Sequence, residues 1–481
     1  MPEKIQRIKN LIKSDYLISV FATGVHAVLI FVYGIFVRHF VLPKDYGLYT
    51  TSNIVLTYLN FLQLGVLNSF NRDYPQAAGA NDDDRMQALK NTTFTYISLS
   101  YFVIGSVVGI VVQIIAALGK IDVKIANGIC LICLIALLSN CVSICTTKYK
   151  AHGDFFLASI INVISTLVQV VVGGLFVYCL GYYGIYIALI LFSLTSIVLM
   201  KNQFKTFRFW YDTKLLLIMI KTGIPLLING LIWTLIMTSD QFIILYFSDS
   251  EKLGLYSVAQ TIFSVMVLIP QTVSQVMYVK LSNYYGMTRD EEKLLKVTEK
   301  NLLVITIINC TVMMVVYTII PMFVQVFMPA YVDGVAAAQV LCIGVAIYGG
   351  TMVYGNLFTI LKKNKQLLRA TSCLCIANVL FSCLLVLQMG FKLELVAYGT
   401  AISYTVYSLI LVINTSKLFK KSFWGLAFKS YLLILISIVA IVLINTVISR
   451  TVFRYTVVAC LIGTLLLGGF FVMKKRLLNG K

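Results

Sequence analysis

Charge is scarce in this sequence. Only 12% of its 481 residues are Asp, Glu, Lys or Arg, whereas 59% are hydrophobic and the mean hydropathy is +0.90. No soluble domain is that apolar. A nucleotide-binding Gly-x-x-x-x-Gly-Lys loop is also missing, so ATP is not expected as the direct energy source. Paired acids and a sizeable soluble face are lacking, which weighs against a membrane-bound sugar transferase or polymerase, and no enzymatic activity is expected. The eleven cysteines include Cys130-x-x-Cys133, Cys141-x-x-x-Cys145 and Cys373-x-Cys375 with Cys383. No His or acid accompanies them at ligand spacing, so they read as small hydrophobes, and neither a metal site nor a disulfide is expected.

What the chain does have is a series of continuous apolar runs. Runs longer than about 18 residues mark membrane-spanning segments, and lipid leaves helices or closed barrels as the only spanning structures. These runs do not alternate with polar residues, so helices are expected. They centre on 16–41, 46–70, 92–118, 123–146, 155–180 and 183–200, then 215–246, 253–281, 301–327, 334–360, 370–389, 395–416, 425–449 and 453–473. The expected fold is therefore an all-α polytopic membrane protein of about fourteen spans. A basic lead-in (1–14, with Lys4, Arg7, Lys9 and Lys13) is retained rather than cleaved. The first lobe is 15–200, a basic cytoplasmic linker is 201–214, a second lobe is 215–416, and two more helices with a basic tail fill 417–481.

Charge placement orients these spans. With the N-terminus cytoplasmic, thirty Lys/Arg fall on inside segments and eight on outside turns, which supports fourteen spans with both ends in the cytoplasm. The net charge of +20 thus belongs to cationic loops near anionic headgroups, and nucleic acid is not an expected partner. All outside connections are short and offer no room for an active site.

The chain also repeats itself. Gly47-Leu-Tyr49 and Gly254-Leu-Tyr256 are 207 residues apart, Asn162 and Asn378 are 216 apart, and Tyr183-Gly184 and Tyr398-Gly399 are 215 apart. So steady an offset implies two pseudo-symmetric six-helix lobes, an architecture of transporters with substrate between the halves.

The residues that carry a family resemblance lie in order along the first twelve spans. They are Arg38 with Gly47-Leu-Tyr49, Leu64-Gly65 with Asn68 and Arg72, Gly223-Ile-Pro225-Leu, and Asp240-Gln-Phe-Ile-Ile-Leu with Gly254-Leu-Tyr256. Asn356 with Leu361-Lys-Lys363-Asn-Lys365, and Tyr398-Gly399-Thr-Ala401, complete the set. In these the chain resembles the bacterial polysaccharide exporters and O-antigen flippases of the multidrug/oligosaccharidyl-lipid/polysaccharide exporter superfamily. It departs where span 8 commonly ends in a proline before Leu-Ser, since Val279-Lys280-Leu281-Ser282 has none. The resemblance implies alternating access that moves an undecaprenyl-diphosphate-linked oligosaccharide to the outer leaflet for capsule, exopolysaccharide or O-antigen assembly. It implies a lipid-linked oligosaccharide substrate, with a polysaccharide polymerase and assembly proteins as further partners. Alternatives are a multidrug or organic-cation antiporter of the same superfamily and a lipid II flippase.

A diphosphate and a hydroxyl-rich head call for cations, amides and hydroxyls along a wet cleft, because intramembrane charge usually faces such a cavity. Arg38 and Arg72, on opposite membrane sides, are candidates for phosphate contact, with snorkelling as the bland alternative. Lys221 and Lys280 are candidates at the inner side. Gln260, Ser264, Gln271 and Gln275 share one face of span 8, with Pro270 among them as a candidate hinge, and either line a cavity or join helices. Asn53, Asn60 and Gln63 are expected to face the cavity from span 2, and Asn356 from span 10. Asp240, a carboxylate inside a span, is a candidate for H+ or Na+ coupling or for a structural cap or ion pair near the outer end. His26 is a candidate for ion coupling or a hydrogen-bonded helix contact. No cofactor is expected. The tyrosines of the two Gly-Leu-Tyr triplets are assigned to the interfacial aromatic belt.

Overall fold

An apolar segment in lipid has no water to bond its backbone, so each run closes its hydrogen bonds internally as a helix. A computed structural model describes residues 2–447, 456 and 458–463, and no strand occurs among them. In chain order the helices are α1 (Pro2–Phe40), α2 (Pro43–Leu59), α3 (Val66–Gly79), α4 (Asp83–Ala117) and α5 (Val123–Ala151). Then come α6 (Phe155–Val168), a π-helical turn (Gln169–Gly173), α7 (Gly174–Leu180), α8 (Tyr182–Leu199) and the short α9 (Lys201–Phe204). The second half holds α10 (Thr213–Phe247), α11 (Ser250–Thr288), α12 (Glu291–Phe327), a 3-10 turn (Pro329–Gly334), α13 (Val335–Ile360), α14 (Asn364–Met389), α15 (Leu393–Phe419) and α16 (Phe423–Val447).

Twelve helical segments among the described residues are long and apolar enough to cross a bilayer, so this is an all-α polytopic membrane protein. Twelve of the fourteen expected spans correspond to these segments. The run 453–473 lies largely outside the described residues. The run 46–70 is not one helix. After Leu59 its hydrogen bonds tighten to one-turn contacts, with Phe61 N bonding Tyr58 O, Leu62 N bonding Leu59 O and Leu64 N bonding Phe61 O. Leu64 (φ 48°) and Gly65 (φ 80°) then take left-handed conformations and α3 starts afresh. Several helices outrun the membrane: α11, with 39 residues, extends roughly 58 Å against a hydrocarbon core of about 30 Å.

The chain forms two compact units, 1–234 and 235–481, and the division falls within α10, downstream of the 201–214 connector. In the first unit α5 packs on α2, α4 and α8, while α1 packs on α6. Its connector is fastened down. Arg208 N donates to Asn91 Oδ1, Asp212 N to Thr92 Oγ1, and Trp210 N to Thr95 Oγ1, whose own proton returns to Trp210 O. In the second unit α13 is the central helix, packed by α11, α12 and α15, and α14 lies on α15.

Candidate functional site: a buried carboxylate in the second unit

Glycine decides where this site forms. A side chain at Gly399 would land on the backbone of Ser382, so only glycine lets α15 lie this close to α14. The approach carries the next residue, Thr400, to Asp240 of α10. Asp240 is buried (7% exposed), and its Oδ2 accepts from Tyr256 OH at 2.6 Å. Thr400 Oγ1 lies 2.8 and 2.9 Å from the two carboxylate oxygens and donates its single proton to one of them. Asn378 Nδ2 is 3.5 Å from Thr400 Oγ1, and Ser382 Oγ is 3.5 Å from Asn378 Oδ1 and 3.3 Å from Val396 O. Oxygens of Asp240, Asn378, Ser382, Thr400 and the Val396 carbonyl therefore gather where α10, α14 and α15 meet. That set suits a proton or a hard cation, which takes oxygen ligands.

A cavity of about 290 Å³ opens beside the carboxylate, lined by Asp240, Gln241, Gln260, Ser264, Thr400 and Tyr404 among others. At about 30 Å³ per water it holds several waters or a single sugar ring, far less than a lipid-linked oligosaccharide. The described ion pairs include none with Asp240, so its place is that of a hydrogen-bonded buried carboxylate.

Tyr256 corrects the sequence reading. It is fully buried on α11 and holds Asp240, rather than standing in the interfacial belt. Asn378 and Thr400 were legible only as landmarks of the repeat. The signal that finds them is the failure of the repeat at this site. Tyr33 lies 207 residues before Asp240 and Ile185 lies 215 before Thr400, so the first unit has a phenol and an alkyl group where the second has a carboxylate and a hydroxyl.

The remaining candidates scatter. Gln260 and Ser264 reach the cavity, whereas Gln271 and Gln275 are exposed and line no described pocket. Pro270 is buried within an unbroken α11. Asn356 Nδ2 donates to Ser274 O (2.9 Å) and Oγ (2.8 Å), tying α13 to α11. Lys280 and Lys221 are exposed.

In the first unit, Arg38 is buried. Its Nη1 donates to Gly34 O at 3.0 Å, and its guanidinium lies 4.5 Å from the Tyr46 ring centroid. Arg72 forks onto Asp73 at 2.6 and 3.0 Å. Burial pushes the Asp73 carboxyl up, but hydrogen bonds from Arg72 and Ser69, with the charges of Arg72 and Arg85, prevail and hold it below the usual range. The break after Leu59 removes Gln63 from any continuous face shared with Asn53 and Asn60. Asn60 Oδ1 accepts from Asn140, and Gln63 Oε1 is buried without a partner among the described residues. His26 Nδ1 lies 2.6 Å from Thr166 Oγ1, a contact joining α1 to α6. Gly65 and Gly223, both motif glycines, meet backbone to backbone, and a Cβ on either would overlap the other.

Comparison with known proteins agrees with this architecture. Residues 36–331 match a family model described as "Polysaccharide biosynthesis protein". No curated protein matches the chain by sequence. Among solved structures, the lipid II flippase MurJ in an inward closed conformation is similar over 95% of this chain and 100% of its own, with a TM-score of 0.72 and 13% identity. An inward-facing multidrug resistance MATE family transporter of the MOP superfamily is similar over 84% and 99%, with a TM-score of 0.65 and 14% identity. The Vibrio cholerae MATE transporter VcmN in the bent form is similar over 88% and 99%, with a TM-score of 0.53 and 13% identity. At such identities the likeness is one of fold.

Proposed function

We propose, on the premise that this chain belongs to the polysaccharide biosynthesis protein family, that it is an ion-coupled flippase for lipid-linked oligosaccharide. Its two units alternate access across a bacterial inner membrane, with both termini cytoplasmic, and undecaprenyl-diphosphate-linked repeat units pass from the inner to the outer leaflet. Capsule, exopolysaccharide or O-antigen assembly then consumes them, and the polymerase of that assembly is the natural downstream partner.

The observation that carries the coupled-transport reading is the Asp240 nest. An isolated ionised carboxylate is costly to bury, so this one favours a proton or an alkali cation as its companion. Loading that ion ties α10, α14 and α15 together through Asp240, Asn378, Ser382 and Thr400. Its release changes the strength of that tie, because Tyr256 and Thr400 donate to the same carboxylate. An ion gradient can bias a two-state transporter only through such a difference in affinity between states. The cavity beside the nest sets the amides of Gln241 and Gln260 and the hydroxyls of Ser264 and Thr400 among Ile236, Met237, Phe263 and Leu341, groups able to hold a sugar ring.

The test is a lipid extract from a deletion strain, analysed by mass spectrometry, with a glycan label confined to the outer leaflet. Accumulated diphosphate-linked oligosaccharide beyond reach of the label, reversed by the wild-type chain, is the expected result. Accumulated lipid II instead would replace the substrate with that of the MurJ neighbour. Unchanged lipid-linked sugars with raised sensitivity to cationic drugs would overturn the flippase and favour a multidrug antiporter.

A further inference from the structure

Two lysines in the first unit are buried without a countercharge. Lys90 on α4 and Lys148 on α5 are 9% and 4% exposed. Lys148 Nζ donates to Thr206 Oγ1 at 2.8 Å and lies 4.7 Å from the centroid of the Phe207 ring, and Lys90 Nζ lies 6.0 Å from the same centroid. Arg208 follows, with its side chain exposed. The four ion pairs among the described residues involve none of these three cations. Nor does either helix supply an acid at the neighbouring turns. Positions three and four from Lys90 are Met86, Gln87, Thr93 and Phe94; those from Lys148 are Ile144, Cys145, Ala151 and His152. Asp212 of the connector is engaged in capping α10, accepting from Lys214 N and Leu215 N. Buried ammonium groups ordinarily have an anion beside them, because desolvation without one is costly.

The surroundings identify the anion. Phe94 stacks on Phe207 at 4.4 Å, and Asn91, Thr92 and Thr95 clasp the connector backbone, so the ring and Arg208 are held in place. The next three residues, Phe209, Trp210 and Tyr211, are 73%, 53% and 50% exposed. Aromatic side chains displayed in this way at a helix end belong at headgroup depth, where one end is apolar and the other wet. An anion at that depth is a lipid phosphate.

We propose that Lys90, Lys148 and Arg208 form a binding site for the phosphate of an anionic phospholipid, with Phe209, Trp210 and Tyr211 lying along its glycerol and upper acyl chains. The site shares no residue with the Asp240 nest. Its assignment to the cytoplasmic leaflet rests on the topology proposed above. Occupation would fasten the connector to α4 and α5 and make the carrier sensitive to headgroup charge.

The experiment is native mass spectrometry of the full chain, released from detergent after titration with phosphatidylglycerol, phosphatidylcholine or inorganic phosphate. The wild type retains one phosphatidylglycerol in preference to phosphatidylcholine, and inorganic phosphate does not displace it. Lys148→Gln and Lys90→Gln each weaken retention roughly tenfold, as expected for a lost charge-assisted contact, and Lys148→Arg restores most of it. Arg208→Gln, at an exposed side chain, carries the test if the lysine variants fail to fold. Lys214→Gln, on the same connector, leaves retention unchanged. Equal retention of both lipids, or retention indifferent to all three cations, would overturn the proposal. Displacement by inorganic phosphate would reassign the site to a soluble anion. Retention is read without transport, so a chain that binds phosphatidylglycerol but flips nothing fails only the function, and the reverse fails only this site. Access of a protease to the connector in sealed vesicles reads the leaflet separately.

Discussion

Replacing Asp240 by Asn separates the fold from the coupling. The carboxylate accepts from Tyr256 at 2.6 Å and from Thr400 at 2.8 Å. Asn can keep the oxygen that both Tyr256 OH (2.6 Å) and Thr400 Oγ1 (2.9 Å) reach, but as a neutral and weaker acceptor. The new amide N–H, in place of Oδ1, faces Thr400 Oγ1 at 2.8 Å, and the Thr400 hydroxyl can then donate to the Val396 carbonyl, 3.2 Å away, so the Tyr256 bond persists. A hydrogen bond to a charged group contributes about 1.5–3 kcal/mol in water-soluble proteins, whereas interhelical bonds in membranes average about 0.6 and reach about 1.7 kcal/mol. The expected loss for Asp240→Asn is thus about 1 kcal/mol, too little to unfold the second unit. Asp240→Leu leaves Tyr256 OH buried without an acceptor and costs about 1–3 kcal/mol more. Equilibrium unfolding in mixed micelles measures both. Transport of the lipid-linked substrate in proteoliposomes is then followed against Na+ concentration and pH. Asp240→Asn is expected to remove whichever dependence the wild type shows. A folded Asp240→Asn protein that keeps the wild-type ion dependence would refute the coupling role, and a loss well above 3 kcal/mol would refute the hydrogen-bond accounting.

Three further outcomes follow from the geometry. Gly65→Ala combines an unfavourable positive φ with a Cβ that overlaps the backbone of Gly223; a loss of about 2 kcal/mol or more is expected, seen as reduced folded yield and melting temperature, with Gly223→Ala behaving alike. Asn356→Leu removes both bonds to Ser274 and lowers stability by about 1 kcal/mol, and a transport defect with unaltered stability would instead mark Asn356 as a substrate contact. Arg72→Gln shifts acid unfolding: Asp73 is held below the usual carboxylate range, so its pairing stabilises fully above about pH 4 and fades as pH falls through the lowered folded value. Without Arg72 the carboxyl rises toward its ordinary value and acid unfolding begins at higher pH, by a small margin because Arg72 is exposed.

The sequence by itself determined the membrane class and most of the helical spans, because lipid forces each long apolar run to satisfy its own backbone and leaves little choice of structure. It also marked Asp240, since a carboxylate among apolar residues stands out without any knowledge of its neighbours. Only the tertiary structure decided which polar residues meet. Gln63 left the face it would share with Asn53 because α2 ends at Leu59, a break that run length cannot reveal. Tyr256, Asn378 and Thr400 come from three separate helices, and their meeting at Asp240 depends on helix rotation and on the close approach that Gly399 permits. A period along one helix says which residues share a face; it does not say which helix that face will meet.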